Sequence, residues 1–223
     1  MKNFSTKLRL TGNSGLLGLF LILLVYPLHA QHMISGGIGA NTYIGELSPD
    51  GSSAQLNGSF YYHNYFEDRF FVRAGFNFGS IEGSFEPGDQ FINRNSVEDP
   101  TTFFNADIFT GDVSFNMEVI RLGFGHIYGG IGFGVLTFNL EDREGRNLEQ
   151  RSRTRFENES FSSTVASVPL NVGIILFQNN KINLMLEQTW ILTNTDYLDN
   201  IGYAGQEGTD SIIRRSLNIR FQF

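Results

Sequence analysis

The sequence has no cysteine. That absence excludes a disulfide framework, thiolate catalysis and cysteine-ligated metal sites. Proline is scarce, with 5 in 223 residues, and most sit near the ends of patterned segments. Beyond residue 30 the only lysine is Lys181 and the only histidines are His32, His63 and His126. An acidic chain with no basic patch is a poor nucleic-acid binder, so no nucleic-acid partner is expected. After residue 30 no stretch approaches the ~18 uninterrupted apolar residues of a membrane-spanning helix. What the chain has instead is glycine and aromatics: Gly 25, Phe 22 and Tyr 8. That composition, with few helix formers in runs, points to an all-β chain.

Residues 1–30 stand apart. Lys2, Lys7 and Arg9 open a stretch without acidic residues, the apolar run GLLGLFLILLVY follows, and Leu28-His29-Ala30 precedes Gln31. A basic start, a short apolar middle and a small residue at the cut are the parts of a secretory signal. Cleavage after Ala30 is expected, leaving 31–223 as one domain. Losing those three positive charges takes the formal net charge from −7 to −10.

The rest alternates with period two. Eight segments do so, at about 33–45, 54–64, 69–81, 104–120, 126–138, 163–177, 181–194 and 211–223. In the third, Phe70, Val72, Ala74, Phe76 and Phe78 oppose Arg73, Gly75, Asn77 and Gly79. In the fifth, Ile127, Ile131, Phe133 and Val135 oppose Gly130, Gly132 and Gly134. The connections alternate too. NYFEDR, RLGFG and QNNK are short; the four between them are longer and polar, and EDREGRNLEQRSRTRFENES is dense in charge of both signs. Antiparallel neighbours need only short hairpins. An even number of roughly ten-residue alternating segments, with short turns on one side and long loops on the other, predicts an eight-stranded antiparallel up-and-down transmembrane β-barrel of the outer-membrane type. Both termini then lie at the short-turn, periplasmic end, and the chain sits in the cell outer membrane.

Alternation alone does not say which face points inward, and a soluble lipocalin-like binding barrel remains the alternative. The polar parity is rich in Gly, Ser, Thr and Asn, which suits an interior only wide enough for side chains to fill. Its charges are Arg73, Arg214 and Arg220 against Asp112, Glu118 and Glu187. Three of each sign suits a sealed interior, because a buried unpaired charge is costly. These six are the expected interior charge network. Tyr62, Trp190 and Phe223, near segment ends, fit interfacial aromatic girdles. The last residues, SLNIRFQF, keep strict alternation to the terminus. Leu217, Ile219, Phe221 and the terminal aromatic Phe223 resemble the C-terminal signal read by the outer-membrane assembly machinery.

Three stretches carry a family resemblance: GGIGANTYIGELSPDG, FFVRAGFNFGSIEG and VPLNVGIILFQNNKINLMLEQTWILTNTDYLDNIGY. They resemble a group of small bacterial outer-membrane barrels that includes PorG of the type IX secretion system. The resemblance implies an accessory role in type IX secretion, with periplasmic secretion-ring proteins as partners. The plugged interior itself predicts a non-enzymatic structural or interaction protein, with outer-membrane lipid and lipopolysaccharide around it.

Chemistry has few candidates. A lipid A-modifying enzyme, the alternative function, needs His with Ser or a carboxylate near the outer leaflet. All three histidines fall at the short-turn end, where His63 and His126 read as interfacial or turn residues. Asp196, Asp199 and Asn200 lack the dense ligand spacing of a calcium loop. Arg151, Arg153 and Arg155 share one parity with Glu149, Glu157 and Glu159. They read as a strand-like extension with cross-strand ion pairs, or as contacts to lipopolysaccharide phosphates. Gly36-Gly37-Ile38-Gly39 has no helix pattern after it and is no phosphate loop. No catalytic residue, cofactor or metal is expected.

Overall fold

The computed structural model describes residues 31–45, 47–84, 102–149, 161–176, 181–200 and 209–223. The expected signal segment 1–30 lies outside the described residues. So do Arg151, Arg153, Arg155, Glu157 and Glu159.

Eight strands follow in chain order: β1 (Gln31–Ile44), β2 (Gln55–Glu67), β3 (Phe70–Ser84), β4 (Phe103–Leu122), β5 (Gly125–Glu141), β6 (Thr164–Leu176), β7 (Ile182–Thr193) and β8 (Ser211–Gln222). Each pairs antiparallel with its neighbour, and β8 returns to pair with β1, closing a barrel. At the seam Ile38 lies opposite Leu217 and Ser35 opposite Arg220. The strand ends joined as β2–β3, β4–β5 and β6–β7, together with Gln31 and Phe223, share one rim, the turn end. The other connections form the loop end.

The facing of the strands settles what the barrel stands in. Apolar side chains point out: Ile131 is 56 % and Phe133 64 % exposed, with Phe60, Phe76, Phe109, Phe115, Leu186, Leu217 and Ile219 alike. Polar side chains point in: Asn116, His63 and Arg220 are fully buried. A soluble barrel has the opposite arrangement. An apolar belt around a polar interior is stable only against lipid, so the lipocalin-like alternative is overturned. The strands also satisfy one another's backbone groups without a free edge, as hydrocarbon requires.

The long strands β4 and β5 show where the lipid stops. The outward series on β4 runs Phe109, Val113, Phe115, Met117 and Val119, and towards the loop end it changes to Asn105 and Asp107. The inward series changes oppositely, from Glu118, Asn116, Ser114, Asp112 and Thr110 to Ile108, Ala106 and Phe104. On β5, Val135 outside gives way to Thr137, Asn139 and Glu141, while Leu136, Phe138 and Leu140 face in. From Phe109 to Val119 the apolar outer series spans about 25 Å of height at ~3.3 Å per residue and ~40° tilt, the band of a transmembrane barrel. Beyond it the same strands continue as an ordinary water-soluble barrel, apolar inside and polar outside. The segments expected at 69–81 and 126–138 therefore fall short of β3 and β5, which run on to Ser84 and Glu141.

This loop-end core is closed from above by three loops. Leu47, Leu148 and Leu198 come from the β1–β2, β5–β6 and β7–β8 connections, and all are buried with Phe104, Leu136, Phe138, Leu140 and Ile212. Leu148 is brought in by a tight turn that follows β5. Asp142 Oδ1 accepts the amides of Glu144 (3.0 Å) and Arg146 (2.8 Å). Gly145 takes a left-handed φ of 73°, and the Leu148 amide returns to the Leu140 carbonyl at 3.0 Å.

Inward glycines make room for their neighbours. A Cβ on Gly75 would meet the Tyr61 ring at 2.3 Å, and one on Gly173 would meet the Tyr128 ring at 2.6 Å. Two register shifts at the turn end, between Tyr65 and Glu67 and between Glu118 and Ile120, interrupt the alternation. The second sends both Val119 and Ile120 outward and returns Arg121 opposite the inward-parity His126.

The lipid boundary predicts a contrast on one strand. Phe115→Arg places a charge in the apolar band and should cost about 2–4 kcal/mol. Asn105→Arg, beyond the band, should change stability by less than about 0.5 kcal/mol. Denaturant unfolding in phospholipid vesicles, read by the gel shift of heated against unheated barrel, measures both. Equal costs would contradict the assigned boundary.

Candidate functional site

The chemistry-bearing side chains lie in the lumen, in two tiers between two apolar seals. In the middle tier Arg73 on β3 donates to Glu187 on β7 across the barrel, with both side chains sealed from solvent. Glu187 also accepts from Tyr128 Oη (2.5 Å) and Thr189 Oγ1 (3.1 Å). The Arg73 guanidinium lies over the Tyr61 ring, 4.2 Å from its centre. Tyr61 Oη donates to Asn77 Oδ1 (2.6 Å) and accepts from Arg214 Nη1 (3.2 Å). Asn77 Nδ2 reaches Thr110 Oγ1 (3.1 Å) and, more weakly, Asp112 Oδ2 (3.4 Å).

The second tier lies towards the turn end. Arg220 Nη1 donates to Tyr65 Oη at 2.7 Å, and Tyr65 Oη donates to Glu118 Oε1 at 2.9 Å. Glu118 Oε2 accepts from Arg121 Nε at 2.9 Å and lies 2.8 Å from His126 Nδ1. The His126 contact has ion-pair distance but not hydrogen-bond alignment.

All six charges expected inside are buried there. They do not form one ring of ion pairs. Among them only Arg73 and Glu187 meet directly. Asp112 and Arg214 communicate through Asn77, Tyr61 and Thr110, and Arg220 reaches Glu118 through Tyr65. The cation that does pair with Glu118 is Arg121, which simple alternation places outside. The bulge at Val119 re-aims it, and no spacing in the sequence marks that bulge.

A Ser–His contact does occur. Ser35 Oγ and His63 Nε2 are 2.8 Å apart, both buried in the lumen wall. His63 is thus an interior residue, correcting its reading as an interfacial or turn residue; its even spacing from Tyr61 and Tyr65 on β2 was the available signal. His63 Nδ1 has no protein partner to orient the ring. Met33, Tyr65, Phe71, Tyr128, Ile175 and Met185 pack between this pair and the turn end. A nucleophile needs an oriented base and a route for substrate, and the packing offers neither.

At the loop end Tyr43 Oη lies 2.9 Å from Asp199 Oδ2 and 2.7 Å from Asp210 Oδ1, with its one proton to share between them, and Asp210 Oδ2 accepts the Leu198 amide (2.8 Å). Asp199 thereby anchors the loop that delivers Leu198. Among the described residues no three His, Asp or Glu side chains gather as metal ligands.

The aromatic C-terminus lies on the outer wall beside the seam. Phe221 and Phe223 are exposed, and the Phe223 ring stacks on His32 at 6.4 Å. His32 Nδ1 is 2.6 Å from Tyr62 Oη. Trp190 faces outward on β7.

No protein-family model matches the chain. No curated protein matches it. Among solved structures it is similar to the Neisserial surface protein NspA, with a TM-score of 0.54 at 11% identity, covering 88% of this chain and 100% of that one. Lower scores relate it to Ail, the attachment invasion locus protein of Yersinia pestis (0.48, 12% identity, 88% and 100% covered), and to the outer-membrane protein AlkL (0.45, 12% identity, 89% and 95% covered). At this identity the likeness to NspA shows the fold: the chain is an outer-membrane-type eight-stranded β-barrel.

The buried pair predicts an asymmetric response. Glu187→Ala strands the Arg73 guanidinium in the lumen and should cost about 3–5 kcal/mol. Glu144→Ala, in an exposed turn ion pair with Arg146, should cost less than about 1 kcal/mol. Arg73→Met with Glu187→Leu removes both charges and should recover most of the loss. Unfolding midpoints of the three variants in one detergent check this. A double variant no better than Glu187→Ala would show that the pair does more than balance charge.

Proposed function

We propose that this chain is a non-enzymatic structural and interaction protein of the outer membrane, working through its rims and not through its lumen. The observation that supports this reading is the double seal. The lumen is filled by Tyr61, Tyr65, Tyr128, Arg73 and Arg220, and capped by Leu47, Leu148 and Leu198. A lumen so filled passes no solute and admits no substrate. What remains for recognition is the loop end, raised above the lipid on its own apolar core, and the short turns. Residues 1–30 as a cleaved secretory signal, and the terminal aromatic as a handle for the assembly machinery, support loops outside and both termini in the periplasm.

The resemblance to PorG-type barrels supports the finer reading, an accessory of type IX secretion. On that reading a periplasmic ring protein contacts the turn end, where Glu67, Asp68 and Arg69 form an exposed turn. The long loops then carry what is particular to this chain.

Two variants separate these roles. One replaces 150–160 by a short Gly/Ser link and keeps Leu148; the other changes Glu67, Asp68 and Arg69 to alanine. Both should fractionate with the outer membrane and show a heat-dependent gel shift. The accessory reading expects the turn variant to lower the amount of exported cargo in the medium several-fold and the loop variant to leave it unchanged. Normal export by both ends the accessory reading and leaves surface recognition as the function to pursue.

A further inference from the structure

Within the apolar band of the outer wall one charged side chain faces lipid. Arg215 on β8 is exposed and points outward, directly opposite Gln188 on β7. Its Nε donates to Gln188 Oε1 at 3.0 Å. Towards the loop end the pair is bordered by Ile213, Trp190 and Leu192, and towards the turn end by Leu186, Leu217 and Ile219. Its neighbour across the seam on β1 is Ala40. No other charged side chain among the described residues faces outward within the band.

A charge facing lipid is destabilising and marks a functional position. Inside the barrel Arg73 meets Glu187 and Arg121 meets Glu118 directly, while Arg214 and Arg220 are held by the hydroxyls of Tyr61, Thr110 and Tyr65 out of reach of lipid. Arg215 is met by a neutral amide, so its positive charge is oriented but left standing. The Gln188 bond occupies Nε. Nη1 and Nη2 bond to no described residue, and these two nitrogens form a planar fork matched to a phosphate or carboxylate.

Depth narrows the partner. Arg215 is the third outward position of β8, after Ser211 and Ile213; at ~3.3 Å per residue and ~40° tilt it lies about 5 Å beneath Ile213, the apolar residue nearest the loop-end edge of β8. An arginine side chain snorkels over that distance to the headgroup level, and Trp190, one outward step above Gln188, is an interfacial residue type.

We propose that Arg215, positioned by Gln188, binds the phosphate of a lipid headgroup in the leaflet bordering the loop end. On the orientation given above that leaflet is the outer one and the headgroup belongs to lipopolysaccharide. Assigning the leaflet rests on that orientation, which an epitope placed after Glu144 and probed on intact cells tests separately.

The test places the full mature barrel in phosphatidylcholine nanodiscs with diphosphoryl lipid A, or with lipid A stripped of both phosphates. Native mass spectrometry reads the fraction of barrel that retains lipid A after release. The wild type should retain the diphosphoryl form about tenfold or more over Arg215→Gln, as loss of a charge-assisted fork implies. Arg215→Lys, which keeps charge without the fork, should fall between. The phosphate-free form should not distinguish the three. A gel shift confirms that each variant is closed; should Arg215→Gln fail to close, the comparison of wild type with Arg215→Lys decides alone. Equal retention by wild type and variants, or equal retention of both lipid forms, overturns the proposal. So does a photo-crosslinker at position 217 that captures a polypeptide in native membranes instead of lipid.

Discussion

Everything in this molecule depends on the seam between its first and last strands. From Met33 opposite Gln222 to Ile44 opposite Ser211, twelve residue pairs join β1 to β8. Without them two strand edges would present bare backbone groups to hydrocarbon, where no water can satisfy them. With them the sheet has no edge, and the interior becomes a compartment. The burial of Arg73, the docking of the loop leucines and the isolation of the Ser35–His63 pair all follow from that closure. So does the regularity of β8, which stays paired with β1 from Ser211 to Gln222.

Closure creates the problem that the lumen solves. Eight strands enclose a space for side chains and nothing more, so inward groups compete for room and for partners. Fit comes from pairing absence with bulk, as Gly75 does with Tyr61 and Gly173 with Tyr128. Satisfaction comes from phenols that bridge charges of either sign: Tyr65 accepts from Arg220 and donates to Glu118. A buried ion pair is not a strong source of stability relative to apolar packing. Here the pairing of Arg73 with Glu187 leaves neither charge stranded in the sealed lumen.

Strands and facing were legible in the sequence because period two survives everywhere within the band; the glycines of β5 against Ile131 and Phe133 are an example. Interior partners were not. Arg73 and Glu187 are 114 residues apart, and a pair across a barrel leaves no local spacing. Arg121 was missed because one inserted residue reverses parity, and His63 because its position near a turn concealed its inward facing. The lengths of β3 and β5 were underestimated for a different reason. Above the lipid the alternation continues with its polarity exchanged, so a segment read by its apolar-outside pattern ends at 138 although β5 runs on to Glu141. Leu47, Leu148 and Leu198 are single apolar residues in polar loops, and nothing local marks them as core.

The exchange of polarity along β4 and β5 also fixes the barrel's waterline. Raising the barrel by one two-residue step, about 5 Å along the membrane normal, lifts Phe109 and Val135 into water. Lowering it by one step drags Asp107 and Thr137 into hydrocarbon. Both displacements are uphill, so the restoring force is two-sided, unlike that on a uniformly apolar post that merely prefers immersion. A membrane of a different thickness would have to deform around this protein, because the protein holds its height.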